Sequence, residues 1–351
     1  MRGTLRVPDN DGAEGCPVYL EHLHLLACPR CHGDLHCVHS AVPVSDEALL
    51  EGALGCFACK MEYPVIGGVP RFVPRENYAS GFGLEWTKHA RTQYDSYSGL
   101  KVSQQRFLEQ THWPRELHGE RILEVGSGSG RFTEQAANTG ATVVSLDFSY
   151  AVDANYASNG ARRNVVIVQA DVFAMPFRPA TFDRLFCFGM LQHTPSPRRA
   201  FQALPAMLRP GGALCADIYK VSLVRTVLQT KYWVRPFTRR MNPDRLYALV
   251  RTWVDFMWPL ARRIRKLPKG YAINWRLLVA DYSMLGLEGE MLREWSYLDT
   301  FDMLAPRYDR PATLKTFRRW AADAGLVDIE AEYTPHGVVL RAKAPTPASG
   351  R

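Results

Sequence analysis

The stretch ILEVGSGSGRF, residues 122–132, decides how the rest of the chain is read. An apolar run from Arg121 to Val125 meets a loop with glycine at every second position, Gly126, Gly128 and Gly130, and a helical pattern starts at about Arg131. That is a strand, a tight turn and a helix. In an open α/β sheet the carboxyl edge of such a strand is where ligands bind. Glycine lets the backbone turn there and approach a ligand without a Cβ in the way. Dinucleotide enzymes use a related loop, so the glycines alone do not name the ligand. Glu124, just before them, opposes a phosphate and suits a cationic amino-acid moiety.

Short apolar runs and helical patterns alternate outward from this point. TVVSLD (142–147), a helix near Tyr150 to Asn159, VVIVQAD (165–171), FDRLFCF (182–188), a helix near Arg198 to Leu208 and GALCADIY (212–219) follow in order. A helix around Leu314 to Ala324 and the strands DIEAEY and GVVLRAK close the pattern. Alternation of this kind predicts an α/β fold with a largely parallel sheet. Pro205 is expected to kink the helix that contains it. Asp147 ends the second strand, where a carboxylate can accept both hydroxyls of a ribose. Asp171 ends the third, where one can accept from an adenine amino group. Each acid alone is an ordinary strand-end residue; three at successive strand ends form a pattern.

The segment 121–219 resembles a class I S-adenosylmethionine-dependent methyltransferase of the broad ubiquinone/menaquinone-methylase-like group. LEVGSGSG, SLDFS, QADVFAMPF, FDRLFCFGMLQHTP and LRPGGAL carry the resemblance, in the expected order. It implies a Rossmann-like fold with a seven-stranded, mostly parallel sheet. The cofactor it implies is S-adenosylmethionine, contacted by Glu124, Gly126, Ser127, Gly128, Gly130, Asp147, Phe148, Asp171 and Val172. In sugar and natural-product O-methyltransferases that this region resembles, a histidine after the fourth strand and an aspartate near the end of the fifth act as base and orienting acid. His193 and Asp217 stand at those positions; the plainer reading makes them a loop cap and a strand-end residue. FGLEWTKHARTQYDSYSG and LDTFDMLAPRYDRP are similar to flanks of bacterial methyltransferases with an N-terminal zinc-ribbon module. Asp299, Asp302, Arg307 and Tyr308 are candidates for a substrate lid, and Trp86, Gln93 and Tyr94 for residues folding over the cofactor.

The cysteines lie mostly ahead of this core. LLACPRCHGD (25–34) and GCFACKMEYP (55–64) each hold a Cys-x-x-Cys knuckle, and Cys28, Cys31, Cys56 and Cys59 together make a four-thiolate set for one tetrahedral zinc. Such a closed set is structural, with His32, His36 and His39 as nearby spare ligands. With YPVIGGVPRFVP behind it the module resembles the Trm112-like zinc ribbon. Cys16, Cys37, Cys187 and Cys215 stand alone.

At 351 residues and 46% hydrophobic composition the chain can bury a large domain and a small one. The expected division is a zinc module over 19–75, a helical connector over 76–118, the methyltransferase core over 119–220 and 304–345, and a helical insertion over 221–303. No apolar run approaches the roughly 18 residues of a membrane span, and MRGTLRVPDNDGAEG lacks a secretory apolar core. The expected location is therefore the cytoplasm, where thiols stay reduced. Much of the net charge of +8 lies between Arg225 and Lys269. WVDFMWPLARRIRKLP in that region reads as a helix that packs on the sheet, with peripheral membrane contact through 253–269 or dimerisation as alternatives. The expected activity is methyl transfer to a small-molecule acceptor, a sugar, glycolipid or natural-product intermediate, at oxygen. An RNA methyltransferase is the alternative, since the chain is basic. The cations do not cluster in the zinc module, however, and GMLQHTP (189–195) replaces the Asn-Pro-Pro-Tyr type motif of exocyclic amino chemistry. A cofactor-binding scaffold without turnover is the third reading, and the oligomeric state is open.

Overall fold

The structure, a computed structural model, describes residues 18–40, 48–75, 77–221 and 229–346. Cys16, the opening fifteen residues and residues 222–228 of the expected insertion lie outside the described residues. The N-terminal module contains β1 (Val18–Tyr19), β2 (Leu35–Ser40), β3 (Ala48–Leu49), β4 (Gly52–Cys56), β5 (Glu62–Ile66) and β6 (Val69–Pro70). β1 pairs with β3, and the other four form an antiparallel sheet in the order β2-β4-β5-β6. Leu35 pairs with Cys56 and Gly55 with Glu62, which sets the knuckle before β2 beside the one at the β4–β5 turn.

The connector holds α1 (Ser80–Lys88), α2 (Asp95–Ser98) and α3 (Val102–Thr111). There follow β7 (Arg121–Val125), α4 (Arg131–Ala137), β8 (Thr142–Asp147), α5 (Val152–Asn159), β9 (Val165–Gln169), β10 (Phe182–Cys187), α6 (Pro197–Ala203) and β11 (Leu208–Ile218). The insertion supplies α7 (Lys231–Thr238), α8 (Pro243–Ile264), α9 (Gly270–Arg276) and α10 (Gly289–Leu304). α11 (Leu314–Asp323), β12 (Val327–Thr334) and β13 (Gly337–Lys343) complete the chain.

One seven-stranded sheet runs β12-β13-β11-β10-β7-β8-β9. β13 is antiparallel to both neighbours; the pairs from β11 across to β9 are parallel. The central strands are mostly apolar and buried, as expected where helices cover both faces. Their side chains alternate between the two cores with the period of a pleated strand. Leu123, Val125, Val144 and Leu146 join the core under α6 and α11. Ile122 and Val143 join the one with Phe107 of α3 and Phe132 of α4.

Leu25, Leu26, Tyr63 and Val65 of the zinc module belong to the first of these cores, so the module is part of the main hydrophobic body. After β6 the chain runs on along the edge of β9, where Phe72 N donates to Gln169 O at 2.8 Å and covers an otherwise open strand.

Three expectations are corrected. Pro205 does not kink a helix: α6 ends at Ala203, and Pro205 opens a separate 3₁₀ turn, Pro205–Met207, since a proline is well tolerated at the first position of a turn. The third strand ends at Gln169, so Asp171 lies just past it, in a turn bridged to Ala174. α8 does not pack on the sheet. Its Asn242 cap accepts from Asp244 N and Arg245 N at 3.0 and 3.2 Å, with Pro243 fixing the first turn. Its buried face, Leu246, Tyr247, Val250 and Val254, then meets Phe301 and Leu304 of α10 and Leu84 of α1. No helix among the described residues is long and apolar enough to cross a membrane.

Candidate functional site

A cavity of about 1210 Å³ opens at the carboxyl edge of the sheet. One end is the glycine loop. Gly126 N donates to Leu146 O at 2.7 Å and Gly128 N to Asp147 Oδ2 at 2.8 Å, while Ser149 donates to Asp147 Oδ1 through N at 2.8 Å and Oγ at 2.7 Å. Asp147 thus fixes the loop and still presents lone pairs to the cavity it lines. Ser127, Phe148, Asp171 and Val172 line the same end. Gly130 is at φ +94°, and a Cβ there would lie 2.0 Å from Asn155 Oδ1.

Two expected residues support the loop from behind instead of facing the cavity. Glu124 is buried, and its Oε2 accepts from Thr133 Oγ1 and, at 2.8 Å, from Ser145 Oγ. Asn155 Nδ2 ties those two hydroxyls together at 3.0 Å each. Burial pushes the Glu124 carboxyl up to about 7, with the two hydroxyl donors pulling the other way. Tyr94 donates to Ser129 O at 2.5 Å and accepts from Asn159 Nδ2 at 2.9 Å. Neither side chain is on the cavity wall. Trp86 does cover the loop: a Cβ on Gly128 would lie 3.0 Å from its Nε1.

At the other end His193 sits in the 3₁₀ turn Leu191–His193. Its Nδ1 is 3.0 Å from Tyr308 O, and because a carbonyl only accepts, Nδ1 carries a proton, so that in the neutral ring Nε2 is the acceptor. The rings of Phe82 and Tyr219 stand 5.1 and 5.5 Å away. The expected pairing with Asp217 is absent. Asp217 accepts from Gly189 N and from Arg106 Nη2, both at 2.6 Å, so that its ion pair with Arg106 anchors α3 to β11 and its bond to Gly189 holds the β10 loop. The orienting group for His193 is the Tyr308 carbonyl, not a carboxylate, and the Tyr308 ring packs edge-on to Tyr78 at 5.5 Å.

Asp299 and Asp302 of α10 and Glu85 of α1 converge on the cavity wall. Gln93 Nε2 donates to Asp299 Oδ2 at 3.3 Å. Burial and then the neighbouring Asp302 push the Asp299 carboxyl up to about 7, and burial with the same neighbours holds Glu85 well above the carboxylate range. A second cavity of about 510 Å³ shares His193, Tyr219, Asp299 and Asp302 with the first and is walled by α7 and α9. Glu85, Arg106, Tyr219 and Tyr282 were not expected at the site. The one signal was for Glu85, in FGLEWTK, where it shares a buried helix face with residues a turn away.

The thiols of Cys28, Cys31, Cys56 and Cys59 lie within 4.8 Å of one another. Cys28 to Cys59 and Cys31 to Cys56 are each 3.5 Å, close to the roughly 3.8 Å edge of a tetrahedron with zinc–sulfur bonds of about 2.3 Å. Tyr63 OH lies 3.1 Å from Cys28 Sγ. His32 Nδ1 is 3.2 Å from Phe177 O and the His36 ring stacks on Phe57 at 3.7 Å, so the cluster is the four cysteines without histidine. The set fits a structural zinc.

Residues 123–216 match the family described as methyltransferase domain. The chain carries a methyltransferase domain. Residues 20–68 match the family described as Trm112p-like protein, so a Trm112p-like module precedes that domain. The ubiquinone biosynthesis O-methyltransferase of Paraburkholderia phymatum is 33% identical over 100 residues, 27% of this chain and 43% of that one. That of Xylella fastidiosa is 33% identical over 115 residues, 32% and 47%. The chain therefore spans less than half the length of these curated relatives. Among solved structures, a Haemonchus contortus phosphoethanolamine N-methyltransferase 2 overlaps 78% of this chain and 48% of its own, at 18% identity and a TM-score of 0.42. Seven strands in the observed order, with a reversed β13, match the class I arrangement expected from the sequence, and the residues lining the loop end, Ser127, Asp147, Phe148 and Asp171, fit S-adenosylmethionine.

Proposed function

We propose that the protein transfers the methyl group of S-adenosylmethionine to an oxygen of a small-molecule acceptor, a sugar, glycolipid or natural-product intermediate. One observation carries the reading: a single cavity joins the loop at Gly128 and Asp147 to His193, whose Nε2 is left as a lone-pair acceptor. The named relatives are O-methyltransferases, which supports oxygen as the acceptor atom.

When bound, S-adenosylmethionine supplies an electrophilic methyl on a sulfonium. Gly126, Ser127, Gly128, Asp147, Phe148, Asp171 and Val172 are its proposed contacts, with Gly130, Glu124 and Tyr94 shaping the loop. His193 takes the acceptor hydroxyl proton at Nε2 while the Tyr308 carbonyl holds Nδ1–H, so the imidazole enters the step in one tautomer. Trp86 closes the loop side, and Gln93, Asp299 and Asp302 meet the acceptor.

The test is methyl transfer from labelled cofactor into extractable metabolites. His193→Ala lowers turnover about 100-fold or more with cofactor affinity unchanged; undiminished turnover removes the base. Label in RNA would establish the RNA reading instead, and tight cofactor binding without product the scaffold.

A further inference from the structure

α8 has two apolar faces, and only one is covered. Leu249, Trp253, Phe256 and Leu260, spaced four, three and four apart, form one stripe on its solvent side. Phe256 is 74% exposed. Its ring lies 6.2 Å from that of Trp253, whose Nε1 donates to Leu277 O at 3.0 Å. On α7, Trp233 and Phe237 are 63% and 75% exposed. Ile273 of α9 and Leu267 of the α8–α9 turn are exposed as well. So many large apolar side chains on neighbouring helices exceed the scattered ones of an ordinary surface.

The cations sit with them. Arg245, four residues before Leu249, and Arg263, three after Leu260, close the ends of the α8 stripe, and Arg239, Arg262, Lys266 and Lys269 are also exposed. None of these six is in an ion pair among the described residues. A second copy docked on this face would bring the same charges together. An anionic lipid surface answers both features, taking the aromatic side chains into its interface and the arginines and lysines into its surface potential.

The position of the patch gives it a use. The second cavity is walled by Thr230, Lys231 and Arg235 at α7 and by Ala272, Trp275 and Arg276 of α9. Thr230 Oγ1 donates to Arg276 O, joining the two helices. The helices that carry Trp233 and Ile273 outward are therefore the walls of the passage to His193. We propose that the α7–α8–α9 face docks on an anionic membrane and holds the mouth of the second cavity against it, so that the acceptor enters from the lipid surface. Docking is independent of methyl transfer; lipid-borne delivery rests on the methyl-transfer reading.

The experiment is cosedimentation of the full chain with vesicles of phosphatidylcholine alone or mixed with phosphatidylglycerol, alongside cofactor binding. Binding to the anionic vesicles exceeds binding to the neutral ones about tenfold or more, and added salt weakens it. Phe256→Glu and the double change Arg262→Glu, Arg263→Glu each reduce it about tenfold, with cofactor affinity unchanged as the check on folding. No preference for anionic vesicles, or equal binding by Phe256→Glu, overturns the proposal. So does a concentration-dependent dimer that Phe256→Glu dissolves, which would make a second copy the occupant. Loss of methyl transfer with docking intact would strike the enzymatic reading alone.

Discussion

The two ends of the main cavity each hold a carboxyl that titrates near 7, for different reasons. Glu124, under the glycine loop, is raised by burial and relieved by two hydroxyls from α4 and β8. Asp299, across the cavity, is raised by burial and further by the like charge of Asp302. The first belongs to a closed hydrogen-bonded scaffold, and such scaffolds hold a backbone still. The second belongs to a set of acids still short of partners, with Glu85 Oε2 buried and unbonded among the described residues. The loop end also keeps one such atom, Asn159 Oδ1, but it lies behind the loop, whereas Glu85 is on the cavity wall, where a ligand would complete it.

Removing the zinc ligands has the largest expected effect on this contrast. Cys28→Ser with Cys31→Ser, or strong chelation, lowers the melting temperature by about 10 °C or more, because the module shares the main core. The damage reaches the loop end first, through Phe72 and Gln169 beside Asp171. Metal analysis with thermal unfolding checks it, and a metal-free wild type of equal stability would refute it. Gly130→Ala comes next, with a loss of about 3 kcal/mol and of cofactor binding, since φ +94° and the Asn155 side chain both oppose a Cβ. Denaturant unfolding and calorimetry read both.

Asp299→Asn tests the other end and has the opposite sign. The folded carboxyl keeps its proton to about 7 while the unfolded one ionises near 4, so wild-type stability falls as pH rises through that window. The variant gains about 1–3 kcal/mol over wild type at pH 8 and nothing near pH 4. A variant less stable than wild type at pH 8 would show that ionised Asp299 is already compensated. Smallest is Tyr94→Phe, which leaves Ser129 O without its donor and costs about 1 kcal/mol, with cofactor affinity falling only a few-fold.

The legibility of the two ends differs in the same way. Gly126 to Gly130, Asp147 and Asp171 lie within one stretch of local strand-turn-helix units, so period and punctuation locate them. The acid end draws Glu85, Arg106, His193, Tyr219 and Asp299 from five separate elements, and no local pattern brings α1, α3 and α10 together. Asp217 shows how spacing misleads: a strand-end acid in the expected place is claimed by Arg106 from α3, 111 residues earlier, and the His193 proton goes to a carbonyl.

By itself the sequence determined the alternation of strands and helices, the glycine loop and the four-thiol module, because each follows from neighbours along the chain. Tertiary structure alone decided which side Glu124 and Tyr94 face, what orients His193, and which apolar stripe of α8 is left uncovered. Those depend on which distant surface arrives to bury a group, and the chain's local periodicity carries no record of that.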